Sequence, residues 1–185
     1  AEVVVASISE WMDFTTYDHI RRSFQGGVLA LQSAHFKEII AHAKTNLQYR
    51  LTLNYQEKMQ RLLYGHVQKF IDIERPHPVA DLEKILAEKD AYTFEVGTEA
   101  SLSIAGLLSY VKDGYDGVVN VYPFTCMPGT ITASVAKPLM SQLDMPCLDV
   151  AYDETTHPGR EATIETFMYQ VKKRQTRRSS SQHSA

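Results

Sequence analysis

The sequence predicts an α/β fold: a Rossmann-like parallel sheet with flanking helices and a long helical insertion after the first strand. Three observations predict it. A β-branched apolar run, Glu2-Val3-Val4-Val5-Ala6-Ser7-Ile8, opens the chain and has the composition of a strand buried on both faces. Two more such runs, Val118–Tyr122 and Cys147–Tyr152, alternate with segments of helical period. Between these and the opening run lies Val28–Asp72, which has no proline and only Gly65 as a breaker.

In chain order, Ser9 to Tyr17 reads as a polar and aromatic loop after the first strand. From Val28 the apolar residues Leu29, Phe36, Ile39, Ile40, Ala43, Leu47 and Leu51 recur at three and four. That is the helical period, so this stretch is two helices or one kinked helix. Arg75-Pro76-His77-Pro78 stops it. Asp81–Lys89 and Glu99–Lys112 are two further amphipathic helices. Asp116-Gly117 turns into the strand Val118–Tyr122, Pro123 to Gly129 is a loop, and Thr130–Leu143 is a helix irregular at Pro138. Met145-Pro146 leads into the strand Cys147–Tyr152, Asp153 to Gly159 is a loop, and Arg160–Lys173 closes the pattern. Strand, helix, strand, helix is the rhythm of parallel units joined by crossovers. The expected organisation is one α/β domain over 1–171, with 28–75 as the helical insertion and 172–185 as a basic, flexible tail.

The chain has 185 residues, 44% of them hydrophobic and 22% charged, which excludes a disordered chain and a disulfide scaffold. The net charge of −3 hides an asymmetry. Residues 172–185 hold five basic residues and no acid, leaving 14 basic and 22 acidic residues in the body, a charge of −8. An acidic body argues against a nucleic-acid surface. No apolar run approaches the ~20 residues of a membrane helix, and no signal peptide is legible. A chain that opens with Ala inside a strand reads as a processed chain or a piece of a longer protein. Two cysteines, 21 residues apart, suit a reducing, cytoplasmic setting and show no zinc spacing.

In an open parallel sheet, ligands collect beyond the carboxyl ends of the strands. Three loops are expected there: Ser9–Tyr17, Pro123–Gly129 and Asp153–Gly159. The middle one places Cys126 between Pro123 and Pro128, with Thr130 as the expected cap of the next helix. A cysteine facing a helix N-terminus is favoured as thiolate, the form that both a nucleophile and a soft metal ligand require. The plainer reading is a half-buried small residue in a turn. Cys147 opens a buried strand and belongs to the core. His157 is the available partner for a nucleophilic Cys126. Asp153, Glu154 and His157 form a polar cluster at a strand end, and Glu10 and Asp13 flank Trp11. Glu99, in Gly97-Thr98-Glu99-Ala100, is a general base if buried and a capping residue if not. His19, His35, His42, His66 and His77 make no metal-binding pair, and neither glycine-rich nucleotide-binding loop is present.

The stretch Gly117-Val118-Val119-Asn120-Val121-Tyr122-Pro123-Phe124-Thr125-Cys126-Met127-Pro128-Gly129-Thr130-Ile131 resembles a signature block of the 2-hydroxyacyl-CoA dehydratase and benzoyl-CoA reductase superfamily. More closely, the chain resembles the C-terminal dehydratase-like region of the large CoA-substrate-specific enzyme activase proteins. Ala1 to Trp11, Gly97-Thr98-Glu99-Ala100, Cys147 to Glu154 and Arg160 to Phe167 are similar to further segments of that region, so the likeness covers about 1–171. The resemblance implies an iron–sulfur protein of anaerobic metabolism, with Cys126 as a cluster ligand. It implies a 4Fe-4S or double-cubane cluster completed by ligands outside this chain. Its implied partners are an ATP-dependent activase module, upstream dehydratase-like domains and an acyl-CoA, with no nucleic acid and no membrane. Thr125 and the backbone N–H groups of Thr130 and Ile131 would hydrogen-bond cluster sulfurs, Glu99 would support the site or carry protons, and Asp153 and Glu154 would border the ligand site. The whole would be a lyase- or reductase-type enzyme or its activator, this chain alone being inactive. The alternatives are a non-catalytic α/β interaction module of a multidomain activase and a thiol enzyme using Cys126 with His157.

Overall fold

The computed structural model describes residues 2–71, 73, 75–90, 92–154 and 158–182, with side chains described to Ser180. Among these residues there are six α-helices, one short 3-10 turn and two strands. The chain divides into two compact units, 1–81 and 82–185.

The first unit overturns the opening of the sequence reading. Glu2–Ile8 forms no strand, and Val3 and Val5 lie exposed. A β-branched run becomes a strand only beside a partner that completes its hydrogen-bond ladder, and the only described pairing joins two other segments. Helix begins instead at Ile8. Ser7 caps it, its hydroxyl accepting from the Ser9 N–H at 3.2 Å, and Glu10 sits three residues on. Ser-x-x-Glu is a helix-start signature, which is why Ser9–Tyr17 is helical and not a loop. Helix α1 runs Ile8–Gln32 and α2 runs Phe36–Val67.

The reversal between them uses Ala34 at φ 55°, with His35 N–H bonded to Ala30 O and Ala34 N–H to Leu31 O. This is a Schellman-type stop without its usual glycine. The α2 residues turned toward α1, among them Ile39, His42, Asn46, Tyr49, Leu53 and Gln56, alternate three and four apart. The seam combines apolar burial of Phe14, Ile20 and Ala30 from α1 with side-chain hydrogen bonds. Asn46 donates to Ile20 O and Ser23 Oγ, both at 2.9 Å, and His19 stacks on Tyr49. Gly26 lies so close to the His42 ring that a Cβ would sit 2.4 Å from it.

Helix α3 (Val79–Lys89) contains the boundary between the units. In the second unit, α4 (Glu99–Lys112) is followed by Gly114, whose φ of 92° turns the chain back into β1 (Val118–Pro123). Helix α5 (Met127–Gln142) then crosses to β2 (Cys147–Tyr152). The strands pair in parallel, from Val118 opposite Cys147 to Pro123 opposite Tyr152. The core of this unit is apolar: Leu82, Leu86, Ile104, Leu108, Val118 and Met140 are buried.

The expected β-α-β rhythm of 118–152 is therefore present, but the Rossmann-like fold is not. Two strands do not make a doubly wound sheet, helices dominate, and there is no first strand after which a helical pair could be inserted. The basic segment expected as a flexible tail is the last part of α6 (Arg160–Gln182). Ion pairs hold it: Arg178 meets Asp116 at 2.8 Å, and Arg177 meets Asp144 at 3.1 Å.

Candidate functional site: the cysteine turn at the end of the parallel pair

Three features shape the turn after β1. Phe124 N–H donates to Tyr152 O, extending the strand pair by one bond. Thr125 then adopts φ 71°, a left-handed conformation that is uncommon for a branched residue. Cys126 N–H bonds Pro123 O at 3.0 Å, which closes the turn. Cys126 is itself the residue that caps α5, with Pro128 in the first helical turn.

Thr130 is not the cap that the sequence suggested. Its N–H and its hydroxyl both donate to Cys126 O at 3.0 Å. Neither group is free for a ligand. The first-turn donors left without an intrahelical acceptor are those of Met127 and Gly129. They sit beside the half-buried, free Cys126 thiol.

Buried contacts that sequence reasoning missed hold this turn in place. Asn120 in β1 donates to Asp149 in β2 at 2.9 Å and reaches Gly129 O at 3.5 Å. It thereby joins both strands to the start of α5. Gly129 packs on Tyr122 so closely that a Cβ would lie 2.4 Å from the Tyr122 Cβ. The signal for both was in the sequence: an Asn inside an apolar strand demands a partner, and a Gly in the first turn of a helix suggests close approach.

The remaining residues divide. The Gly114 reversal brings the N-terminal end of α4, with Thr98 and Glu99, to the same end of the strands as Cys126. Glu99 is exposed there, while the hydroxyl oxygen of Thr98 is buried with no hydrogen-bond partner among the described residues. Asp153 and Glu154 follow β2 and are exposed, and Arg160 covers the Tyr152 ring at 4.7 Å. His157, the candidate partner of a nucleophilic thiol, lies outside the described residues. Cys147 is at the opposite end of the strand pair, five residues or ~16 Å from the Cys126 end. Burial first, and then the neighbouring Asp149 carboxylate, push its thiol up to about 11.

A second polar cluster lies at the start of α1, in the other unit. Glu10, read as half of a loop pair, is buried and accepts from His77 N–H at 2.8 Å and from the His77 ring at 3.0 Å. Asp13 is buried and accepts from Gln60 at 3.0 Å. Burial raises its carboxyl above the ordinary range, the Gln60 bond opposes this, and the nearby Glu57 and Glu10 charges add to it.

Among the described residues no three His, Cys, Asp or Glu side chains converge as a metal site. For an iron–sulfur cluster, the turn offers one thiol, two backbone donors and two exposed apolar neighbours, Phe124 and Met127. Those residues fit one corner of a cluster and not a complete site. Fold and site thus define a helical protein that carries a solitary thiol at the carboxyl end of a parallel strand pair. No family model, no curated protein and no solved structure matches the chain.

Proposed function

We propose that residues 82–185 form one wall of a shared iron–sulfur site in an activase-dependent, 2-hydroxyacyl-CoA dehydratase-like protein. Cys126 supplies one ligand, and the other ligands come from outside this chain. The cluster, when bound, passes electrons at low potential. This chain would contribute the Cys126 sulfur at the turn, with the Met127 and Gly129 N–H groups as donors to cluster sulfur and Phe124 and Met127 as cover from water. The observation that carries the reading is the position of Cys126. It caps a helix at the strand end, locked by the Asn120–Asp149 bond and rimmed by exposed apolar side chains that no cysteine of the same chain can join.

The test is anaerobic reconstitution with iron and sulfide, of this chain alone and with the cysteine-bearing domains of such a dehydratase-like protein. The expected result is a broad visible absorption and bound iron in the mixture only, lost on Cys126→Ala. Iron and sulfide unchanged by Cys126→Ala would remove the cluster reading. The exposed rim would then favour an interaction module.

A further inference from the structure

Helix α2 has no buried residue along its 32 positions. Its apolar side chains are not confined to the face that packs on α1. The face toward α1 is mixed, carrying His42, Asn46, Gln56 and Gln60 beside Ile39, Tyr49 and Leu53. About 150° around the helix runs a second stripe: Phe36, Leu47 and Lys58 at intervals of eleven, interleaved with Ile40, Leu51 and Leu62 at the same interval. The five apolar members of this stripe are each between 58% and 74% exposed.

We propose that this stripe is the interface of a homodimer, in which α2 packs antiparallel on α2 of a second copy about a two-fold axis. The area suits that occupant. Six large side chains at ~100 Å² each, with the flanking lysine stems and small residues, come to ~800 Å² per copy, the burial of a standard stable interface. The stripe spans ~40 Å of helix, long enough to pair along most of α2. It is also self-complementary, as an isologous contact requires. With the axis at the level of Tyr49, Leu47 meets Leu51 of the second copy, Phe36 meets Leu62, and small Ala43 faces large Tyr55. Lys58 falls opposite Ile40, where its alkyl stem covers the apolar side chain and its ammonium reaches water. Because the stripe lies almost opposite the face that packs on α1, the two hairpins then form a row of four helices with the two α2 helices at its centre.

The experiment is sedimentation equilibrium of the full chain over a concentration series. The expected result is a species of twice the 20.9 kDa chain mass. Leu47→Glu with Leu51→Glu should weaken the dimer ~100-fold, and Lys58→Leu, which completes the stripe, should tighten it ~10-fold. Both substitutions fall on exposed positions of the isolated chain, so helix content by circular dichroism should hold in the monomer. A monomer up to the solubility limit overturns the proposal. So does a dimer indifferent to both changes, or a monomer that instead binds vesicles of phosphatidylcholine and phosphatidylglycerol.

Discussion

The α1–α2 hairpin and the unit built from α4, β1, α5 and β2 bury apolar side chains to different extents. Helix α4 of the second unit buries seven of its 14 residues, including Ile104 and Leu108. Helix α2, more than twice as long, buries none. The second unit has an interior of its own, made by stacking α4 and α5 on the strands. The hairpin has a thinner seam, in which Phe14, Ile20 and Ala30 of α1 are buried beside amides, hydroxyls and an imidazole–phenol stack, while the apolar stripe of α2 lies outside. Helical periodicity alone therefore does not locate a core. The same three-and-four spacing marks a buried face in α4 and an open one in α2.

Core truncation sharpens this contrast most. Ile104→Ala or Leu82→Ala, both fully enclosed, should cost about 2–5 kcal/mol in denaturant unfolding. In the monomer, Leu51→Ala should stay within about 0.5 kcal/mol. Equal losses at the two places would erase the distinction. The next effect falls on the turn. Gly129→Ala drives a methyl into Tyr122 and should cost about 1–3 kcal/mol, visible as a lowered denaturation midpoint.

A smaller effect separates the units by pH. Burial raises the Asp13 carboxyl in the folded hairpin. Between its unfolded and folded values the native state holds more protons than the unfolded state, so stability falls as pH rises through that window. Asp13→Asn should flatten this slope in urea titrations from pH 4 upward. A slope that persists unchanged would assign it to other carboxyls. The smallest change concerns reactivity. With Cys147 pushed up to about 11, its thiolate population at neutral pH is ~100-fold below that of an ordinary thiol. Neutral labelling with a disulfide reagent should show one fast thiol, abolished by Cys126→Ala. Two equal phases would mean that Cys147 is not held as the burial suggests.

Residues 99–152 were the legible part of the chain. Their helix and strand limits follow the sequence pattern, except that α5 starts at Met127, within the expected loop Pro123–Gly129 and three residues before Thr130. The opening Val3-Val4-Val5 run was misleading. Its β-propensity is real, but a strand needs an edge to join, and the Ser7–Glu10 start signal won locally. At the site, Cys126 and its turn were legible from the prolines. The identity of the cap was not, since Thr130 is a better cap by composition and Cys126 occupies the place by geometry. Glu10 and Asp13 read as a loop pair flanking Trp11, and only folding shows them buried against His77 and Gln60.

The sequence by itself determined the β-α-β rhythm of 118–152, the turn around Cys126 and the helical character of 28–67, because these depend on local propensity and spacing. Tertiary structure alone decided which apolar stripe is buried, whether a β-prone segment has a partner, and which polar residues are enclosed. Those outcomes depend on what lies across from a residue in space, and a one-dimensional pattern does not carry that information.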